Sequence, residues 1–413
     1  MKKRLLNWIQ QFDIFCLLDN HQYQIQPHSL ECLAAIGARR MIQADKVISL
    51  EQLQSFLDNK PSWLFGHLAY DLKNEIEGLS SSHPDHIQFP DFFFFEPEII
   101  IRLNETELFI QGDEPEKIFA SIHTFASASS FSPELPFKIE NRISREEYCS
   151  NINQLKQHIL RGDCYEINFC QEFFATEATI QPATVYERLS RISPNPFSAL
   201  YRVQDKWLIC ASPERFLKKS GDKILSQPIK GTSKRIPDDD KLDASSKESL
   251  YKSTKEKSEN VMVVDLVRND LSKICEEGTV GVEELFGIYS FPQVHQMIST
   301  ISGTLKQQVS FADIIKATFP MGSMTGAPKR NVMKLIEQYE KTKRGIFSGA
   351  VGYISPEGDF DFNVVIRSLM YNAGSNYLSF QTGSGITFYS DPEKEYEECM
   401  LKAQAIQNVL AKS

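Results

Sequence analysis

The chain has 413 residues, room for one large or two ordinary domains. With 41% hydrophobic and 24% charged residues it has the make-up of a globular protein with a substantial core, and its net charge of -9 argues against a nucleic-acid binder. No apolar run approaches bilayer length, and the eight scattered cysteines, without a CxxC pair or a histidine cluster, read as reduced thiols of a cytoplasmic protein. At the start, "MKKRLLNWIQQFDIF" is basic then partly apolar, but Asn7, Gln10, Gln11 and Asp13 interrupt any signal-peptide core. Residues 1 to 140 are rich in strand-like runs, most plainly "FPDFFFFEPEIIIRL" (89–103) and "ELFIQG" (107–112). A Ser/Ala/Pro-rich stretch between Phe119 and Phe137 is the linker candidate, dividing an N-terminal region (1–140) from a second region (141–413). Ser144 with Glu147 then forms a capping box, and Tyr148, Ile152, Leu155 and Ile159 recur at helical spacing until Gly162. "KWLICASPERFLKK" and "DKILSQPIKGT" read as sheet, residues 244–273 as one long helix, and 313–319 and 326–341 as further helices. "FSGAVGYISPEG" with "DFNVVIRSLMYN" reads as a hairpin and 392–411 as a closing helix. Strands in adjacent hairpins predict an α+β fold with antiparallel sheets.

Several residues carry chemistry. Lys230 in "SQPIKGTSKR" stands between an apolar Pro-Ile pair and Gly231, a residue that lets backbone approach closely. On the 244–273 helix, Glu256 and Glu259 share a face with Val263, Val267 and Asp270. On the closing helix, capped by Asp391, Glu395, Glu398 and Lys402 fall on one face with Cys399 and Ile406. Glutamates at this spacing are common on solvated faces, but two such pairs beside apolar residues suit a hard divalent cation such as Mg²⁺. "FPMGSMTGAPKR" runs from a glycine-rich loop into a helix whose start favours an anion, with Lys329 and Arg330 at the end of the dipole unsuited to cations. An anion docked between those two would explain them. The glycine-rich "QTGSGIT" (381–387) reads as a turn whose amides wrap a carboxylate, and Arg367, leaving the apolar strand "FNVVIR", suits a bidentate carboxylate contact. Together these features describe a small substrate with at least two carboxylates.

These residues resemble those of the chorismate-utilising enzymes. The matching segments are "GDCYEINF" (162–169), "SPERF" (212–216), "PIKGT" (228–232), "ENVMVVDLVRND" (259–270), "GSMTGAPK" (322–329), "GAVGY" (349–353), "VVIR" (364–367), "GSGI" (383–386) and "SDPEKEYEECMLKA" (390–403). Weaker matches before residue 140 are "GHLAYD" (66–71) and "PDFFFFEPEIII" (90–101). The resemblance implies two facing, largely antiparallel sheets with helices outside, and N- and C-terminal parts that interleave. It implies Glu259 and Glu398 as direct Mg²⁺ ligands, with Glu256 and Glu395 acting through water. The substrate's ring carboxylate would complete the metal shell, with amides of Gly383, Ser384 and Gly385. Arg367 and Tyr353 would hold the enolpyruvyl carboxylate, Lys402 would line the same pocket, and Thr325, Gly326 and Lys329 would form another wall.

Members of this family differ in nucleophile and in whether pyruvate leaves. Those that use water typically carry Lys in a "GDxxK" position, which here is Glu166, and anthranilate synthases typically have Ala in "PIAGT", which here is Lys230. Lys230 resembles the aminodeoxychorismate synthases, where a neutral lysine amine in a desolvated or cation-rich pocket would attack C2 and expel the 4-hydroxyl. Ammonia would then enter C4 and release the lysine. Glu166 stands where many relatives have glutamine and is the other catalytic candidate, with the general acid or base assignment open. Aligned on Met297–Ser299, Gln296 stands where relatives often have a histidine, with His295 displaced by one; if that histidine protonates the leaving hydroxyl in relatives, another group must do so here. The resemblance further implies a separate glutamine amidotransferase subunit supplying ammonia, and a product destined for 4-aminobenzoate and folate. Anthranilate formation and an inactive chorismate-binding paralogue are the alternatives.

Overall fold

The computed structural model describes residues 1–23, 32–44, 49–125 and 137–411. Its strands form two sheets, of eleven and ten strands, antiparallel at every pairing. The sheets face one another: Tyr201 of strand Phe197–Val203, in the larger sheet, brings its hydroxyl to 3.0 Å from His67 Nδ1 of strand Leu64–Leu68, in the smaller. Alternation sorts the larger sheet's side chains. Cys16, Leu33, Tyr201 and Leu208 join the core shared with the smaller sheet, while Phe15, Leu17, Leu200 and Ile209 pack with the outer helices.

The apolar run 89–103 is two strands, Phe92–Glu96 and Ile99–Leu103, and they lie in different sheets. Pro97 has no N–H for a ladder, so the run breaks there and the chain passes between the sheets. Phe92 to Phe95 are all buried because both faces of their strand are covered. Phe94 meets Phe311 and Phe362, and Phe93 stacks on His67. Each ring buried this way contributes about 2 kcal/mol. "KWLICASPERFLKK" behaves alike: Lys206–Ser212 belongs to the larger sheet, Arg215–Ser220 to the smaller, and Pro213-Glu214 joins them.

The expected hairpin is present between Ala350–Ile354 and Phe360–Asn363, but its second arm is shorter than "DFNVVIRSLMYN" suggests. From Val364 to Arg367 the chain crosses again, and Ser368–Asn372 lies in the larger sheet. Strand Ile14–Asp19 sits between Cys32–Ile36 and Phe197–Val203, and Leu64–Leu68 pairs with Ala350–Ile354. Segments before and after residue 140 therefore share both sheets, as the resemblance implies.

Three helix boundaries differ from the sequence reading. The 244–273 helix is two, Asp240–Lys252 and Thr254–Ser272, because Ser253 caps the second by accepting from the Glu256 N–H. The expected 326–341 helix is Lys329–Tyr339, behind a short 3₁₀ turn at Gly322–Met324. Part of the linker candidate is helix Pro115–Thr124, and residues 126–136 lie outside the described residues. Helix Arg145–Leu160 starts as expected on the Ser144 cap, but the Glu147 carboxylate reaches Lys341. All eight cysteines are unpaired, and no described helix is long and apolar enough to cross a membrane.

Candidate active site

Lys230, on strand Ile229–Lys234 of the smaller sheet, and Glu166, opening strand Glu166–Ala175 of the larger, meet between the sheets. Lys230 Nζ lies 2.5 Å from Glu166 Oε1, with side chains 13% and 3% exposed. Gly385 makes the space: a Cβ there would stand 2.6 Å from Glu166 Oε1 and 2.7 Å from Lys230 Nζ. Gly231, at φ +99°, answers what its position in the sequence asks, since a Cβ there would lie 3.1 Å from Glu256 Oε2. Asn260 Nδ2 donates to the Lys230 carbonyl at 3.4 Å, and its Oδ1 accepts from Ser299 Oγ at 2.6 Å.

The charge state of the lysine differs from expectation. Burial alone would lower its pKa, but Glu166, with Glu259 and Glu214 behind it, raises it above the ordinary lysine value. The pocket is rich in carboxylates, not cations, so the resting side chain is an ammonium.

Glu256 and Glu259 on helix Thr254–Ser272, and Glu395 and Glu398 on helix Pro392–Leu410, all act on the Lys255 ammonium. Burial, helped by Glu166 and Glu256 against Lys230 and Lys255, pushes Glu259 up to about 7. Glu256 is raised too, by burial and by Glu398. Against burial, Lys402 at 2.8 Å holds Glu398 below the usual range. Lys402 also donates to the Gly383 carbonyl at 2.9 Å, and Ser384 Oγ donates to Glu395 Oε2 at 2.5 Å. Among the described residues no three His, Cys, Asp or Glu side chains stand close enough to grip an ion as they are. The donor set nonetheless fits a hard cation: four carboxylates from two helices, two of them pushed toward protonation.

Glu214, at the second sheet crossing, is a site residue the sequence reading passed over. It is 4% exposed, accepts from Ser323 Oγ at 2.6 Å, and feels both Lys230 and Arg367. Burial pushes it up to about 7. The only signal in the sequence is a glutamate inside "SPERF", flanked by apolar strands. Arg367 ends the third crossing at φ +51°, and the two crossings are laced together by Val364 N–H to Glu214 O (3.0 Å) and Ala211 N–H to Arg367 O (3.2 Å). Its guanidinium has no hydrogen-bond or ion-pair partner among the described residues. Burial, partly offset by Glu214, lowers Arg367 to about 10, so it is charged at neutral pH and open to an anion.

Other expected residues stand differently. Lys329 Nζ pairs with Asp270 Oδ2 at 2.5 Å and donates to the Thr318 carbonyl, while Arg330 faces Glu77 at 3.9 Å. The anion expected between them is supplied by the protein's own carboxylates, which offsets the unfavourable dipole. Thr325 is fully buried with its hydroxyl on the Met321 carbonyl, and Gly326 pairs with Ile167, so both back the strand that carries Glu166. "QTGSGIT" is not a turn: residues up to Ile386 continue strand Tyr377–Ile386, along Glu166–Ala175. Beyond Phe380 its other edge has no strand partner among the described residues, and there the Gly383 carbonyl takes Lys402 instead. Tyr353 packs on Trp63 and Phe65 and lines a cavity with Leu18, Asp19, Phe197 and Asp361, in which neither Arg367 nor Lys230 takes part. His295 is held by Ser290 Oγ at 2.8 Å and Asp243 at 3.2 Å.

The chorismate binding enzyme family matches residues 10–408 of this chain. An anthranilate synthase component I-like protein of Synechocystis sp. is 35% identical over 83% of this chain and 71% of its own length. Aminodeoxychorismate synthase component 1 of Klebsiella aerogenes is 34% identical over 83% of this chain and 75% of its own. Among solved structures, anthranilate synthase component I of Streptococcus pneumoniae superposes with a TM-score of 0.81 at 24% identity, covering 93% of this chain and 94% of that one.

Proposed function

This chain belongs to the chorismate-binding enzymes, and from that premise we propose that it is an aminodeoxychorismate synthase component I. It would aminate chorismate at C4, using ammonia from a separate glutamine amidotransferase subunit. Overall identity is balanced between relatives named for this activity and for anthranilate synthesis, so the reading rests on one observation: a lysine, Lys230, at the centre of the site against Glu166.

The residues divide the work. Glu166, in contact with the Lys230 ammonium, takes its proton and leaves the neutral amine that forms the bond to C2. Both ring double bonds shift, from C1–C2 to C1–C6 and from C5–C6 to C4–C5, and the C4–O bond breaks. Glu214, half protonated near neutral pH, gives its proton so that the hydroxyl leaves as water. Ammonia then bonds to C4, both double bonds return, and the C2–N bond to Lys230 breaks, the proton held by Glu166 going back to the lysine and one from the new ammonium to Glu214. Arg367 holds a carboxylate of the substrate while the open edge of 383–385 presents amides to another. Glu256, Glu259, Glu395 and Glu398 would hold Mg²⁺, which when bound neutralises substrate carboxylate charge.

The test is direct. Protein given chorismate, Mg²⁺ and an ammonium salt should form a product that yields 4-aminobenzoate only when an aminodeoxychorismate lyase is added. Fluorescent anthranilate without the lyase would overturn the reading. Lys230→Ala should abolish amination while chorismate binding persists, and wild-type turnover in that variant would demote Lys230 to an electrostatic helper.

A further inference from the structure

The segment "GHLAYD" matches the family yet supplies nothing to the site itself, and its place in the fold is informative. Tyr70 lies under the guanidinium of Arg344, 4.6 Å from Cζ to ring centre, and Asp71 Oδ2 accepts from the Gly345 N–H at 2.9 Å. Arg344 is 3% exposed and every N–H of its guanidinium has an acceptor. Two go to Glu340, at 3.0 and 2.6 Å, one to the Met324 carbonyl at 2.7 Å, one to the Asn168 carbonyl at 2.8 Å, and one to Ser348 Oγ at 3.4 Å. Glu340 in turn accepts from the Cys170 N–H at 2.9 Å.

Three of the acceptors, Asn168, Met324 and Ser348, belong to three different walls of the site. Asn168 and Cys170 follow Glu166 on its strand. Met324 follows Ser323, whose hydroxyl holds Glu214, and Asn168 Nδ2 closes the loop by donating to the Ser323 carbonyl at 3.0 Å. Ser348 N–H bonds the Val365 carbonyl at 2.9 Å, two residues before Arg367. Side-chain positions a few tenths of an ångström apart decide whether a proton transfer is in reach, so the piece that sets these walls sets the chemistry.

We infer that Arg344, clamped by Glu340 and Tyr70, is the positioning residue that registers the Glu166 strand, the Ser323–Glu214 loop and the Arg367 crossing against one another. The inference rests on the proposed roles of Glu166, Glu214 and Lys230. A lysine in its place keeps the charge but has three donors and no planar fork, so it cannot serve all three walls. Removing the charge instead would strand Glu340 in the interior.

The experiment compares Arg344→Lys, Glu340→Gln and Tyr70→Phe with the parent at a temperature where each is folded by circular dichroism. Ammonia-dependent kcat, KM for chorismate and the pH profile of kcat are measured. Trace acetylation of Lys230 by acetic anhydride, read by mass spectrometry across pH, gives a readout that needs no turnover. Arg344→Lys and Glu340→Gln should lower kcat at least 30-fold with KM changed less than threefold, and should raise Lys230 acetylation several-fold at pH 8 as Glu166 moves off it. Tyr70→Phe keeps the ring and should stay within twofold. A lowered melting temperature with unchanged kcat, pH profile and Lys230 acetylation would overturn the inference. Should Arg344→Lys not fold, Glu340→Gln decides alone on the same criteria. An inactive parent would count against the proposed function only, because the acetylation comparison still decides the role of Arg344.

Discussion

Under the proposed mechanism Lys230 acts as an amine, whereas at rest it is held as an ammonium, and the two states meet in Glu166. If the carboxylate receives the proton, as proposed, the reactive pair forms without exchange with solvent, so between pH 7 and 9 log kcat should only fall, with the slope near minus one that loss of the Glu214 proton sets. Glu166→Gln removes the acceptor. The ratio of its kcat to the parent's should then climb about tenfold per pH unit over that range, and a constant ratio would show that Glu166 is not the acceptor. Lys230 and Gly231 were legible in the sequence because a cation between apolar neighbours and a glycine has few ordinary explanations. Glu214 was not, since nothing in "SPERF" tells that the chain dives between two sheets at that residue. The partner of Lys329, Asp270, comes from a distant part of the chain, and so do most of the residues that share a cavity with Tyr353, which local pattern does not report.

The two glutamate-bearing helices were readable from caps and spacing, and Asp391 and Ser253 both cap as their types require. What the spacing left out was the break at Ser253, which starts the second helix one turn before Glu256–Glu259. A glycine-rich stretch also looks the same whether it turns or lies flat in a sheet. Residues 381–386 are flat because Gly383 and Gly385 fit against strand Glu166–Ala175 and the Lys230–Glu166 pair. The helix pair makes a prediction of its own. With Glu259 raised to about 7, a cation bound there must displace its proton below that pH. Mg²⁺ affinity should weaken about tenfold per pH unit from 7 down to 5.5, and calorimetry in buffers of different ionisation enthalpy should detect close to one proton released. A pH-independent affinity would place the cation elsewhere.

Sheets threaded by both ends of a chain cannot be divided at a linker. Residues 141–413 expressed alone should fail to fold cooperatively, because strand Ile14–Asp19 lies inside the larger sheet and Leu64–Leu68 inside the smaller. A sharp thermal transition in that fragment would refute this. Alternating and continuous apolar runs made the sheets legible, but which sheet each strand joins depends on crossings at Pro97, Pro213 and Val364–Arg367 that local pattern does not report. The crossings also leave a mark on stability. Glu214 titrates higher in the fold than in the open chain, so the stability it supports is complete below pH 4.5 and is lost as pH rises through about 7. That loss amounts to about 3 kcal/mol by pH 8.5. Glu214→Gln does not ionise, so its melting temperature relative to the parent should improve from pH 5 to about pH 7 and then level off.

The hollow opposite Gly385 has a further consequence. A free amine in an open cleft would condense with passing aldehydes and be lost to the cell's background chemistry. Pressed against Glu166 in a space that no side chain at residue 385 is allowed to share, Lys230 waits protonated and inert. If Lys230 is the nucleophile, as proposed, the same contact that readies it for its substrate shields it from every other electrophile while the site is idle.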